Sequence, residues 1–162
     1  MAVYIASDHT GLNLKTALVT YLTDALGLEV EDMGAFEFSS EDDYPDLIKP
    51  CAEKVVAASG SFGIVIGGSG QGEAMAANKV KGARAVVFYG QAKALGAIDA
   101  EGAPSLDGFD IVRLARVHND ANILSFGARF VSEDDAQEAA RIFLETPFSG
   151  MERHLRRIRK LD

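Results

Sequence analysis

Apolar and polar positions along this chain switch repeatedly between two periods. Residues 2–6 form a short apolar run that reads as a first strand. Leu12, Leu14, Leu18, Leu22 and Leu26 then recur near helical spacing and predict a helix over 11–26. Weak alternation predicts a second strand at 28–33. Pro45 suits the first turn of a helix, which 46–59 continues. The unbroken apolar run 62–66 is the kind of strand buried on both faces of a parallel sheet. A helix over 73–80 and a fourth strand at 84–89 follow. The stretch 91–108 mixes Ala and Gly with Asp99, Glu101, Pro104, Ser105 and Asp107, and reads as an extended surface loop. A short helix at 110–118 and a fifth strand at 122–126 come next. The helix predicted at 133–145 has acidic residues in its first turn, where the helix dipole favours them. Pro147 ends it, and a last helix is predicted at 151–161.

Strand and helix signals therefore alternate from start to finish, with no repeat, low-complexity segment or linker between them. The expectation is a single α/β domain over residues 1–162, with an extended loop at about 90–110. Its plan is a three-layer, open, mainly parallel sheet of five strands with helices on both faces, Rossmann-like in outline. Such sheets bind ligands beyond the carboxyl ends of their strands, near the point where the strand order reverses. That rule directs attention to the loops after strands one, three and four. They hold Ser7-Asp8-His9-Thr10-Gly11, a glycine loop from Gly67, and the segment that leads to His118.

Composition narrows the function classes. The chain has 162 residues, 16 basic and 24 acidic, and a net charge of −8, which argues against general nucleic-acid binding. No apolar run is long enough to cross a membrane. Met1-Ala2-Val3-Tyr4 puts no basic segment ahead of an apolar one, so a cytoplasmic protein without a signal peptide is expected. The one cysteine, Cys51, allows no internal disulfide and is expected to be a buried, unreactive thiol. Three histidines and one cysteine show no zinc spacing, and no metal is expected. The acidic chain ends on a basic segment containing Arg153, Arg156, Arg157, Arg159 and Lys160. It is either a solvated helix face or a local site for a small anion such as phosphate.

The run Gly67-Gly68-Ser69-Gly70-Gln71-Gly72-Glu73 carries the most chemistry. It lies between an apolar strand and a helix-forming stretch, so its backbone N–H groups can converge on one anionic atom at a helix start. Glu73 adds a carboxylate at the rim. Oxyanion donors beside a base are what enolisation next to a carbonyl requires. The spacing is not that of a P-loop, and the glycines do not fit the dinucleotide fingerprint. This weighs against a nucleotide-binding domain. Taken alone, the run also fits a tight turn with an exposed Glu.

Other polar groups fall near the expected site: Asp8-His9 after strand one, Asp43-Tyr44-Pro45-Asp46 after strand two, and Arg116-Val117-His118-Asn119-Asp120 after the long loop. Each has a plainer reading, in which Asp8 caps a helix, His118 bonds to backbone and Tyr44 packs. Together with Ala76-Ala77-Asn78-Lys79-Val80 and Arg153-His154 with Arg157, they resemble in order the motifs of the ribose-5-phosphate isomerase B family. That family also includes galactose-6-phosphate isomerase subunits. The resemblance runs from the first strand to the last helix. It implies reversible aldose–ketose isomerisation of a phosphorylated sugar through a cis-enediolate, with no metal or organic cofactor. It also implies a homodimer or homotetramer whose active sites draw on two subunits. By the same resemblance His118 serves ring opening, and Asp8 lies in the sugar pocket beside it. His9, Arg153 and Arg157 hold the phosphate. Tyr44 lines the substrate site. The backbone of Gly68, Gly70 and Gly72 and the amide of Asn119 supply oxyanion donors. Ser69 contacts the sugar hydroxyls near the moving proton.

Three departures from the family pattern stand out. Many members carry a Cys at the position of Gly67, whose thiolate is the base. This chain resembles instead the branch with Gly-Gly-Ser-Gly-x-Gly-Glu, which makes Glu73 the expected base. A helix start lowers a carboxylate's pKa, whereas a working base is better nearer neutrality, so desolvation on substrate binding is expected to oppose the helix. The connection before His118 is longer than usual, and Gly150-Met151-Glu152-Arg153 replaces a more compact Gly-Gly-Arg. The expected reaction is the interconversion of ribose 5-phosphate and ribulose 5-phosphate. The alternatives are isomerisation of another sugar phosphate, a tetrose or a hexose such as galactose 6-phosphate, and a non-catalytic sugar-phosphate-binding protein.

Overall fold

Five parallel strands form one sheet in the order β2-β1-β3-β5-β4 in the computed structural model, which describes residues 1–161. The strands are β1 (Ala2–Ser7), β2 (Glu29–Asp32), β3 (Phe62–Gly67), β4 (Ala85–Phe88) and β5 (Ile123–Gly127). Their centre is apolar on both faces, as the continuous run at 62–66 requires: Ile64, Val65 and Ile66 are all fully buried. The helices are α1 (Leu12–Thr20), α2 (Tyr44–Ala57), α3 (Gln71–Ala77), α4 (Asp110–Asn119), α5 (Glu133–Glu145) and α6 (Glu152–Ile158).

Strand alternation sorts the core into two layers. Val3, Ile5, Ile64, Ile66, Leu124 and Phe126 face α1, α4 and α5. Ala6, Val65 and Ile123 face α2 and α3, where Cys51 is fully buried and its thiol is pushed up to about 12, chiefly by burial. The three-layer α/β plan is the one the pattern predicts. The expected helix over 11–26 is more irregular. A 3-10 turn at His9–Gly11 precedes α1, and a π turn at Tyr21–Ala25 ends it. The second strand is shorter than expected, an edge strand of four residues.

Strand order decides where the site lies. From β1 the chain steps outward to β2, then returns to place β3 on the other side of β1. The carboxyl ends of β1 and β3 therefore flank a switch point. β5, not β4, is the other neighbour of β3. The loops that surround the glycine loop are thus those after β1 and β5.

Asn78, part of the Ala-Ala-Asn-Lys run, clips the start of β4 by exchanging two hydrogen bonds with Ala85: its amide donates to the Ala85 carbonyl at 3.0 Å and its oxygen accepts the Ala85 N–H at 2.7 Å. Arg116 is buried beneath Phe62 and Phe143 and donates to the carbonyls of Ala121 and Thr146. Both motif residues hold up the sheet. Among the described residues no helix is long and apolar enough to cross a membrane.

Candidate active site

The glycine loop is held by β5. Ser125 Oγ donates to the Gly70 carbonyl at 2.7 Å, and a Cβ on Gly70 would stand 2.8 Å from the Phe126 backbone. Gly70 also has φ +72°, a left-handed conformation that favours glycine, and it starts α3. The Tyr44 ring lies against Gly72, and Ser69 is exposed at the rim.

Glu73, in the first turn of α3, is only 4% exposed. Its side chain folds back over the end of β3. A Cβ built on Gly67 would lie 2.0 Å from Glu73 Oε1 and 2.8 Å from Oε2. The carboxylate therefore fills the space that any side chain at position 67 would need. Burial raises its pKa above the ordinary glutamate value, and the nearby Asp8 charge adds to this. The N–H groups of Glu73 and Gly70 pull the other way without prevailing. The opposition expected from the sequence is thus already settled in favour of desolvation in the free protein. Oε2 is buried with no hydrogen-bond partner. A half-satisfied buried carboxylate of this kind is uncommon outside functional sites.

Asp8 ends β1. Its Oδ1 accepts from Thr10 N, Thr10 Oγ1 and Gly11 N at 2.9, 2.6 and 3.1 Å. It is the N-cap of the 3-10 turn, as its plainer reading anticipated, and Oδ2 remains available. His9 points to the loop before α2, where Asp42 holds it. Two residues not singled out from the sequence complete this group: Asp42, and Arg129, whose guanidinium lies 3.2 Å from a Cβ placed on Gly68. Arg129 directly follows Gly127-Ala128 at the end of β5. The signal was its position beyond a strand's carboxyl end, but only the strand order shows that β5 borders β3.

The other expected residues form a second group elsewhere. His118 does not lie at the carboxyl edge, as the loop rule suggested. It sits in the last turn of α4, and the chain enters β5 at Ile123. The Asn119 and Asp120 carbonyls accept from Arg84, just before β4, and the Asn122 carbonyl accepts from Gly63 N at 2.8 Å. These contacts place the end of α4 at the amino edge of the sheet. The reason is geometric: a helix that follows one parallel strand and leads into another must run back antiparallel to both. From Gly63 to Gly67 the strand rises roughly 13 Å.

At this edge the His118 ring packs on His154 with centroids 4.5 Å apart. Arg153 Nε donates to His154 Nε2 at 3.3 Å, and His154 Nδ1 bonds Ser149 Oγ at 2.8 Å. Burial lowers the His118 pKa, and the neighbouring His154, Arg153 and Arg157 side chains lower it further against the pull of Asp99. His118 is thus a neutral imidazole at neutral pH. Among the described residues no hydrogen bond or ion pair joins this group to the Glu73 group. The long connection between β4 and α4 reaches it, because Glu101 pairs with Arg153 at 3.3 Å.

The geometry of the first group suits proton abstraction beside an oxyanion cradle. The second supplies a neutral imidazole among cations. Comparison with known proteins agrees in kind. The family model described as Ribose/Galactose Isomerase matches residues 3–104 and 107–161. A ribose-5-phosphate isomerase B of Mycobacterium leprae is 37% identical over 98% of this chain and 86% of its own length. A putative sugar phosphate isomerase of Bacillus subtilis is 39% identical over 100% of this chain and 95% of its own. The crystal structure of ribose-5-phosphate isomerase B from Mycoplasma genitalium, with bound ribulose-5-phosphate, superposes with a TM-score of 0.83. It is 37% identical and covers 99% of this chain and 93% of that one.

Proposed function

The chain belongs to the ribose/galactose isomerase family, and on that premise we propose that it interconverts ribose 5-phosphate and ribulose 5-phosphate with Glu73 as the base. The observation that carries the assignment of the base is the Glu73 carboxylate lying in the side-chain space of Gly67, at the carboxyl end of β3 and with one oxygen unpartnered. His118, neutral at working pH, accepts the proton of the anomeric hydroxyl, the C1–O4 bond breaks to leave the C1 aldehyde, and O4 takes up a proton to become the C4 hydroxyl, with Asp8 alongside. Glu73 then takes the proton from C2 of the aldehyde. The C–H electrons form the C1–C2 double bond, and O1 becomes the oxyanion that the N–H groups of Gly68–Gly72 and the Asn119 amide face. O1 gains a proton and O2 loses one. Glu73 returns its proton to C1, and the ketose results. Ser69 and Tyr44 contact the sugar hydroxyls. His9, Arg153 and Arg157, joined by Arg129, hold the phosphate.

Such a site needs two copies of the chain. With about 1.2 Å gained per bond in an extended chain, C1 and the phosphorus of a pentose 5-phosphate are about 7 Å apart. One protomer holds its His118 group and its Glu73 group at opposite ends of the sheet, so a second copy must supply one of them. The edge strand β4 is flanked by exposed Met75 (61%) and Ile111 (54%), a surface suited to that copy. The protein is accordingly read as a cytoplasmic homodimer, or a dimer of dimers, with shared sites.

Two outcomes test the chemistry. Gly67→Ala is expected to displace the Glu73 carboxylate and to lower kcat by roughly 10²-fold. It should add little in a Glu73→Gln background, because both act on one group. Full activity of Gly67→Ala in a steady-state assay would remove Glu73 as the base. The second outcome is a pH profile. Glu73 abstracts a proton only when ionised, so its raised pKa moves the acid limb of kcat/KM above the ordinary glutamate range. A tetrose 4-phosphate, which needs no ring opening, isolates this limb from that of His118. A limb at the ordinary glutamate value would contradict the buried-base reading. Competition among tetrose, pentose and hexose phosphates settles the sugar.

A further inference from the structure

We propose that Asp42 is a positioning residue for phosphate capture, fixing the ring of His9 so that Nε2–H faces the sugar phosphate. This rests on the reading of His9 as a phosphate ligand. One Asp42 carboxylate spans two atoms of His9: Oδ2 accepts the His9 backbone N–H at 2.8 Å, and Oδ1 meets ring Nδ1 at 2.5 Å. The grip sets ring rotation and tautomer together, because an Nδ1–H committed to Asp42 leaves Nε2 as the free end. Phe38 packs edge-on against the same ring, with centroids 5.3 Å apart. Asp42 belongs to the loop before α2, 33 residues along the chain from His9. The loop that leads into Tyr44 at the start of α2 and the loop that carries Asp8 are therefore joined through this pair.

The charges around His9 are Asp42 before α2, Asp8 on its own loop, and Arg129 beyond β5. The hydrogen bond from Asp42 raises the His9 pKa most, partial burial opposes it, the Asp42 and Asp8 charges add to the rise, and Arg129 opposes. The balance of these charges favours the protonated ring, whose Nε2–H is a charged donor to a phosphate. A charged N–H to phosphate is about twice as strong as a neutral one.

The test uses the intact protein with Asp42→Asn, which preserves size and removes the charge. His9 is followed by NMR of its ring across pH, with and without inorganic phosphate. Steady-state kinetics on ribose 5-phosphate run in parallel. The expected result is a lower His9 midpoint in Asp42→Asn. KM should rise by roughly 10-fold, with kcat within about 2-fold, and the rise should grow with pH. Asp42→Glu, which keeps the charge, should recover part of the loss. An unchanged His9 midpoint, or a loss in kcat with KM unaltered, overturns the positioning role. A lowered midpoint with His9 indifferent to phosphate in both proteins overturns instead the phosphate role of His9, and the proposal with it.

Discussion

Glu73→Gln is expected to lower kcat by roughly 10²–10⁴-fold, the range that a positioned general base contributes. Sugar-phosphate affinity should stay within a few-fold, because the amide keeps the shape that fits beside Gly67. The same change should not lower the melting temperature. Native Glu73 keeps a carboxylate buried with one oxygen unpartnered, and burial opposes its ionisation. Replacing it with a neutral amide relieves that opposition, so activity and stability are predicted to part company. Calorimetric titration with ribose 5-phosphate, steady-state kinetics and a thermal melt together check this. A variant with kcat within about 10-fold of wild type would place the base elsewhere, with Asp8 the nearest carboxylate in the group.

Mixing Glu73→Gln with His118→Ala should restore activity that neither variant has alone. In a two-fold dimer with shared sites, each mixed dimer contains one site with both residues intact and one with neither. Random re-association of equal amounts then gives roughly a quarter of wild-type activity. The two variants are co-denatured, refolded together and assayed against each refolded separately. Activity no greater than the sum of the separate variants would mean that each chain is self-sufficient. The separation of the two groups by the height of the sheet could not then describe the working enzyme.

The layered fold was legible in the sequence because its signals are local. The apolar run at 62–66, the leucine spacing of 12–26 and the acidic first turn of α5 each report their own surroundings. Glu73 was legible for the same reason: strand, glycines and carboxylate are contiguous. The strand order was not, since it depends on which strand pairs β3 across long crossovers, and with it went Arg129. His118 was assigned to the wrong edge of the sheet. Its motif follows a connection that leaves β4 at the carboxyl end, while the helix in between carries it back to the amino end. Asp42 lies in an acidic run, Glu41-Asp42-Asp43, where nothing local marks the one carboxylate that meets a histidine 33 positions away. Asn78 and Arg116 show the converse. They belong to the most specific motifs, yet both hydrogen-bond to backbone that supports the sheet.

The most direct test of the account is NMR of ribose 5-phosphate with the wild-type protein in D2O. The account predicts conversion to ribulose 5-phosphate with deuterium entering C1 of the ketose and C2 of the returning aldose, as a solvent-exchanging base requires. The same sample with Glu73→Gln should show conversion and exchange slowed together by roughly 10²–10⁴-fold. Ribose 5-phosphate that binds yet neither isomerises nor exchanges with the wild-type protein would contradict it.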